Sequence, residues 1–434
     1  MSIFKKYQEQ DQDILFIPKV SSFRGEVELI GSKSIANRAL ILSSFCEEET
    51  LLQNVPDSED VSVLIENLPF LGIEIQKLSS KELLIKGSPE WNPKKNYFNL
   101  KNAGTALRPL IAILSTKEIH QDIVIDGNEQ MRKRPIKDLV EALSQIGVEI
   151  QSQNGYPPVK IQKGGWRKNQ IFLSGKTSSQ YLSALLLAAP LTFQEIEIFI
   201  TDELVSKPYV DITIALMKKF QVEVINENYR YFNIPKQFYR SPKTLWIEGD
   251  ATAATYFWTA GLLSGPVSTK GITLNSIQGD IQYLEVIKTL GGKVEFDHQS
   301  VRVFRLYPIK GLSIDMNAMP DAAMTLAITG LFAETYIEIY NVENLRVKES
   351  ERIRGLHNEL KKFGATVEER KDGLKIYPPK QIPKTPRIET YHDHRMAMAF
   401  SLASFLSDLE IINPDCVKKT YPNYFQDFES LCVL

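Results

Sequence analysis

Cysteine is scarce. Cys46, Cys416 and Cys432 are the only 3 among 434 residues. They stand far apart and lack metal-ligand spacing, which excludes a disulfide framework and a cysteine zinc site and suits a reducing compartment. Neither sign of charge dominates: the net charge is −2, which gives no electrostatic reason to expect nucleic acid or a membrane surface as partner. Apolar runs such as Ala184 to Leu191 fall well short of the ~20 residues that a membrane span needs. Met1 to Gln12 is polar and charged, without the apolar stretch of a secretory leader. A cytoplasmic protein is the expectation. Its hydrophobic share of 43% and charged share of 24% are those of ordinary globular domains. At 434 residues it is too long for one core, so two domains are expected.

What the chain does have is a repeat. Apolar helices opening on small or polar residues start near Ser34, Thr105, Ser178, Ala251, Ala322 and Met396, at a period of roughly 72 residues. A second signature keeps the same period. Amphipathic helices end in a bulky residue, usually followed by Gly, and run into a short strand. Examples are Leu71-Gly72-Ile73, Ile146-Gly147-Val148, Phe220-Gln221-Val222, Leu290-Gly291-Gly292 and Phe363-Gly364-Ala365. Gly there fits the left-handed position after a helix, and the alternation beyond it fits a half-exposed strand. Each unit reads as strand, buried helix, strand, amphipathic helix and paired strands. The fold class is α/β (α+β), with six βαβαββ-type units, three per domain. Ser88 to Lys95, Gln153 to Lys168, Pro235 to Lys243 and Pro378 to Pro386 read as loops.

The polar openings of the buried helices carry the chemistry. In Gly31-Ser32-Lys33-Ser34-Ile35-Ala36-Asn37-Arg38, bases meet a helix start whose free N–H groups and dipole attract anions. Ser34 reads as the N-cap, with Arg38 on the same face. Alone, this stretch is equally well a capped helix with solvated bases. Asn102-Ala103-Gly104-Thr105 and Thr177-Ser178-Ser179-Gln180 repeat the theme with small residues and hydroxyls. Met131-Arg132-Lys133-Arg134 is a basic run that could equally be a solvated face. Asp321, at a helix start, is a cap or a general base. Lys348 and Arg352 stand four apart, as if on one helical face. His392-Asp393-His394-Arg395 invites a metal reading, but no other ligand lies at useful spacing, and Arg395 reads better as an anion clamp. Parallel packing of the buried helices would bring these starts onto one face of each domain.

Taken together, GSKSIANR, NAGTALRP, SSQ, SKPY, PDAAMT, NLRVKESER, HDHRMAM and KTYPNYF, in this order from Gly31 onward, resemble the 5-enolpyruvylshikimate-3-phosphate (EPSP) synthase family of enolpyruvyl transferases. The resemblance implies a two-domain inside-out α/β barrel that closes like a clamp. One domain, 31–247, would serve shikimate 3-phosphate, and 1–30 plus 248–434 would form the second. It implies transfer of the enolpyruvyl group of phosphoenolpyruvate to the 5-hydroxyl of shikimate 3-phosphate, with release of phosphate. No cofactor and no metal are implied, the partners are two small anionic substrates, and a monomer is expected.

By the same resemblance Asp321, Glu349, Lys33 and Lys419 would be catalytic, with Asp321 as base on the 5-hydroxyl and Glu349 as proton donor. Shikimate 3-phosphate would meet Lys33, Ser34, Arg38, Ser178, Ser179, Gln180, Ser206, Tyr209, Asp321, Asn344 and Lys348. Phosphoenolpyruvate would meet Lys33, Asn102, Gly104, Gln180, Arg352, Arg395 and Lys419. One position departs: Gln130 stands where the family commonly has Arg, removing a charge-assisted bond typically worth ~1.5–3 kcal/mol. Arg132 is the expected partial substitute. A UDP-N-acetylglucosamine enolpyruvyl transferase is the nearest alternative, but its reactive loop cysteine has no counterpart between Asp126 and Arg134. A non-catalytic scaffold of the same fold is the other.

Overall fold

A computed structural model describes residues 2–433. The chain divides into two compact units, one of residues 31–247 and one of residues up to 30 together with 248 onward. The first holds α1 (Lys33–Ser44), α2 (Glu59–Asn67), α3 (Gly104–Leu114), α4 (Lys137–Gln145), α5 (Ser179–Ala188) and α6 (Lys207–Lys219). The second holds α7 (Ala251–Ser264), α8 (Tyr283–Thr289), α9 (Ala323–Thr329), α10 (Arg352–Lys361), α11 (His394–Ser401) and α12 (Tyr424–Leu431). No helix among the described residues is long and apolar enough to cross a membrane.

The odd-numbered helices are the core. α9 and α11 are buried at every residue, and α7 at every residue but Ser264. A helix that is apolar on all sides has no face to offer water, so it must be enclosed. Helices α2, α4, α6, α8 and α10 have one buried face only. Their ends match the sequence expectation closely. The residue after the bulky terminus has positive φ at Gly72, Gly147, Gly291 and Gly364, and also at Gln221, where the role falls to a side-chain-bearing residue.

Among the described residues six four-stranded sheets of one design stand around the helices. In one of them Tyr97–Asn99 runs parallel to Ile123–Asp126. That strand is antiparallel to Tyr156–Lys163, which is antiparallel to Glu149–Gln153. The parallel pair needs a crossover, and α3 supplies it; the hairpin needs none. The expected loop Gln153 to Lys168 is therefore wrong, because it contains a whole central strand. Pro157 and Pro158 suggested a loop, yet they sit where the pairing register shifts, while Val159 and Ile161 are fully buried.

Two sheets share strands across the points where the chain changes unit. Gly25–Glu28 leads into α1 but pairs with Val267–Lys270, and Thr244–Trp246 leads into α7 but pairs with Glu49–Gln53. The sixth sheet borrows the N-terminal hairpin, with Gln12–Ile17 lying against Leu409–Ile412. Asn54 secures the crossings on the side of the first unit. Its amide donates to the Ile247 carbonyl at 2.8 Å, and its own carbonyl oxygen lies 2.0 Å from where a Cβ on Gly31 would stand. Only glycine allows that approach. Gly31→Ala should therefore cost ~1–3 kcal/mol, the usual range for forced overpacking. A lowered urea midpoint is the expected readout, and an unchanged one would show that the Asn54 carbonyl yields freely.

Candidate active site

Each unit gathers its helix starts at one end, and side-chain bonds show it. In the first unit the single residue of α1 that is not fully buried is Ser34; in α3 it is Thr105, and in α5 Gln180. Asn37 Nδ2 donates to Thr105 Oγ1 at 2.7 Å, joining α1 to α3, and Arg108 Nη1 donates to Gln180 Oε1 at 2.8 Å, joining α3 to α5. The N-cap position of α1 is Ser32, whose hydroxyl makes no cap bond, and not Ser34 as expected. Ser34 is one residue inside the helix because the helix already begins at Lys33. Its placement in the first turn leaves it open to a ligand.

Arg38 is buried and fans out over three helices. Nε donates to Thr213 Oγ1 at 2.7 Å, Nη1 to the Ser34 carbonyl at 2.9 Å, and Nη2 to the Tyr209 carbonyl at 3.1 Å and to Ser183 Oγ at 3.5 Å. Burial pulls its guanidinium down to about 10, still charged at neutral pH. Ser178 caps α5 by accepting from the Gln180 N–H at 3.3 Å, and Ser179 follows as its first residue. Ser206, with φ of 55°, occupies the N-cap position of α6, which carries Tyr209 in its first turn. Lys33 Nζ lies 3.2 Å from Asp60 Oδ2, both nearly inaccessible.

Gly104 opens α3 beside two buried guanidinium groups. A Cβ there would stand 2.3 Å from Arg108 Nη1 and 3.1 and 3.2 Å from the two terminal nitrogens of Arg134. Asn102 Nδ2 donates to Gln130 Oε1 at 2.7 Å, and Arg134 Nη1 donates to Asn102 Oδ1 at 3.5 Å. Arg132, the expected partial substitute for the charge missing at Gln130, holds Asp126 through Nε at 3.0 Å and through Nη2, with half its side chain exposed. Arg108 and Arg134 were in view in the sequence, inside quoted motifs, but nothing in their spacing separated them from solvated bases.

In the second unit one arginine organises the cluster. Arg352, the first residue of α10, donates to Asp393 Oδ2 at 2.8 Å and Oδ1 at 3.2 Å, to Asp321 Oδ1 at 2.8 Å and to Glu349 Oε2 at 2.9 Å. Arg395 Nη2 donates to Asp321 Oδ2 at 3.0 Å and Nη1 to the Tyr256 hydroxyl at 3.4 Å. Lys348 Nζ lies 3.9 Å from Asp321 Oδ1. The expected shared helical face of Lys348 and Arg352 does not exist. A 3-10 turn over Glu343–Val347 ends at Lys348, α10 begins only at Arg352, and the two meet through Asp321 instead. Asn344 lies buried in that turn, and Lys419 is buried at the end of the 3-10 segment Pro414–Lys419.

Electrostatics in this cluster are lopsided. Burial works against an ionised Asp321, but Arg395, Lys348 and Arg352 outweigh it and hold the carboxyl far below the usual range. Burial likewise disfavours the charge on Arg352, and Asp393, Glu349 and Asp321 more than reverse it. Asp393 was missed by the sequence reading. It is fully buried, it fixes Arg352 by two bonds, and as N-cap of α11 it accepts from the Arg395 N–H at 3.0 Å. Asp immediately before an apolar helix is an N-cap signal, so that half of its role could have been found. Among the described residues no group of three or more His, Cys, Asp or Glu is placed to hold a metal.

Comparison with known proteins bears on the family and the fold. A family model described as EPSP synthase (3-phosphoshikimate 1-carboxyvinyltransferase) matches residues 17–428. A 3-phosphoshikimate 1-carboxyvinyltransferase from Histophilus somni (strain 2336) is 43% identical over 428 residues, which is 96% of this chain and 98% of the relative. One from Buchnera aphidicola subsp. Cinara cedri (strain Cc) is 42% identical over 430 residues, 97% of this chain and 98% of the relative. A solved EPSP synthase from Acinetobacter baumannii shares the fold, with TM-score 0.80 at 23% identity over 97% of this chain and 98% of that one. The match in sequence along nearly the whole chain shows that this chain belongs to the EPSP synthase family.

Proposed function

We infer that the chain transfers the enolpyruvyl group of phosphoenolpyruvate to the 5-hydroxyl of shikimate 3-phosphate, releasing phosphate, and that the two clusters divide the work. The observation that carries the division is the carboxylate Asp321 held between Arg352 and Arg395, at the gathered helix starts of the second unit. A reaction that adds a hydroxyl across an enol double bond and then expels phosphate needs a base, an acid and cations for several anionic groups. In our reading Asp321 takes the proton of the 5-hydroxyl as its oxygen bonds to carbon 2 of the donor. Glu349, with Lys33 and Lys419 assisting, delivers a proton to carbon 3. The tetrahedral adduct then loses that proton and the phosphate leaves.

The first unit, residues 31–247, would take shikimate 3-phosphate. Ser34 and Arg38 would serve its carboxylate, and Ser178, Ser179 and Ser206 its phosphate, with Gln180, Tyr209, Asn344 and Lys348 completing its contacts. Lys33, Asn102, Gly104, Gln180, Arg352, Arg395 and Lys419 would serve the donor. We take the enzyme to be a cytoplasmic monomer, in keeping with its free cysteines.

A base works best with a pKa near the working pH, and Asp321 between two guanidinium groups is far from it. The donor's anionic groups are the natural rivals for Arg352 and Arg395. Drawing those arginines to the donor raises the proton affinity of Asp321 when the acceptor hydroxyl is in place.

Mixing both substrates with the protein should release phosphate, with none released when shikimate 3-phosphate is withheld; binding of the acceptor without turnover would favour a scaffold. Asp321→Asn should lower kcat by about 10²–10⁴, the usual share of a general base. Its KM for phosphoenolpyruvate should not rise, since a competing anion has gone, and equal losses in both would make Asp321 a binding residue only. Burial raises the Cys46 and Cys432 thiols to about 12 and pushes Cys416 up as well. Iodoacetamide at neutral pH should therefore leave activity intact; rapid loss would point to thiol chemistry of the UDP-N-acetylglucosamine type.

A further inference from the structure

We propose that Tyr391 and Glu359 are positioning residues for the donor: together they hold the turn that brings Asp393 to Arg352 and starts α11 at the right place for Arg395. The inference rests on the enolpyruvyl transfer reading above. Tyr391 and His392 have φ of 53° and 54°. Two successive left-handed residues that both carry a Cβ are unfavourable, and such a turn persists only where its surroundings over-determine it. Asp393 follows at once. It accepts from Arg352 Nε and Nη2 and from the Arg395 N–H, so a relaxed turn would carry its carboxylate away from both arginines.

One face of α10 supplies the hold. Arg352, Gly355 and Glu359 stand three and four residues apart, which places them on a single stripe of the helix. Arg352 meets Asp393 at one end. In the middle, a Cβ on Gly355 would stand 3.3 Å from Tyr391 Cε2 and 3.4 Å from both Tyr391 Cδ2 and Met396 Cε. The bare backbone there lets the Tyr391 ring lie close against the helix. Glu359, 1% exposed, closes the far end. Its Oε1 accepts from the Tyr391 hydroxyl at 2.8 Å, and its Oε2 accepts from the Glu389 N–H at 3.0 Å and lies 2.6 Å from Lys362 Nζ. The turn also closes on itself, the Asp393 N–H donating to the Thr390 carbonyl at 2.8 Å.

Arg352 leads α10 and Arg395 stands in the first turn of α11, so their separation is set by how the segment 389–396 docks on α10. A helix held at one point can pivot. The Glu359 contacts lie seven residues from Arg352, about 10 Å along the axis, and fixing both points fixes the rotation of α10 as well as its place. The two guanidinium groups are thereby preset for one anionic donor before it arrives.

Steady-state kinetics of Tyr391→Phe and Glu359→Gln, singly and together, tests this beside the wild type. Tyr391→Phe should raise the KM for phosphoenolpyruvate about 5-fold, the scale of one net hydrogen bond, and Glu359→Gln about 10-fold or more. The KM for shikimate 3-phosphate should stay within about 2-fold in each. The double variant should be no worse than Glu359→Gln alone, because both substitutions break the same bond. A lowered urea midpoint with unchanged donor KM would make the two residues merely structural and overturns the proposal. So does an equal rise in both KM values, or a double variant whose effect is the product of the single ones. If Glu359→Gln does not fold, Tyr391→Phe removes one hydroxyl, keeps the ring on Gly355 and decides by the same split between donor and acceptor. A wild type that releases no phosphate refutes the proposed reaction instead, and calorimetric binding of phosphoenolpyruvate to the same variants then decides the positioning separately.

Discussion

Complete burial of the odd-numbered helices is the constraint from which the rest follows. A helix enclosed along its whole length satisfies its backbone internally, except at its ends, where the first N–H groups remain open. In the first unit the only residues of α1, α3 and α5 that escape full burial are Ser34, Thr105 and Gln180, each in a first turn. The chain can therefore place polar chemistry at these starts without disturbing its core. The surrounding sheets do the enclosing, and in four of them the crossover between the parallel strands is what carries a helix inward.

Charge is handled in different ways in the two units. In the second, Arg352 holds three carboxylates at once and leaves Asp321 shared with Arg395. Such a network is costly to desolvate, and it is tolerable because nearly every donor has an acceptor. In the first unit Arg38 donates to hydroxyls and carbonyls, while Arg108 and Arg134 come together over Gly104. A protein of net charge −2 can thus carry buried arginines at its helix starts without a net charge that would bind polyanions indiscriminately.

How much of this was legible can be seen residue by residue. The six helix starts were readable because small or polar residues before an apolar run are a local signal, and their regular spacing made it global. The left-handed termini were readable through Gly72, Gly147, Gly291 and Gly364. The strand Tyr156–Lys163 was missed because two prolines outweighed a short alternation. Ser34 and Ser32 were confused because both suit a cap, and the choice depends on backbone angles. Arg132, Arg134 and Arg108 looked alike as bases. Burial against Gly104 separates the last two from the first, and burial is not a property of a motif.

The amino-acid sequence by itself determined the α/β class, the six-unit period, the polar helix starts and the family, since each rests on local composition repeated at long range. Only the tertiary structure decided which charges meet. Asp393 with Arg352, Asp321 with Arg395 and Arg134 with Gly104 are separated by 41, 74 and 30 positions, and only the last two residues lie within one repeat. Their contacts depend on how separate helices pack, and an interaction energy set by distance and dielectric cannot be read from spacing along a chain.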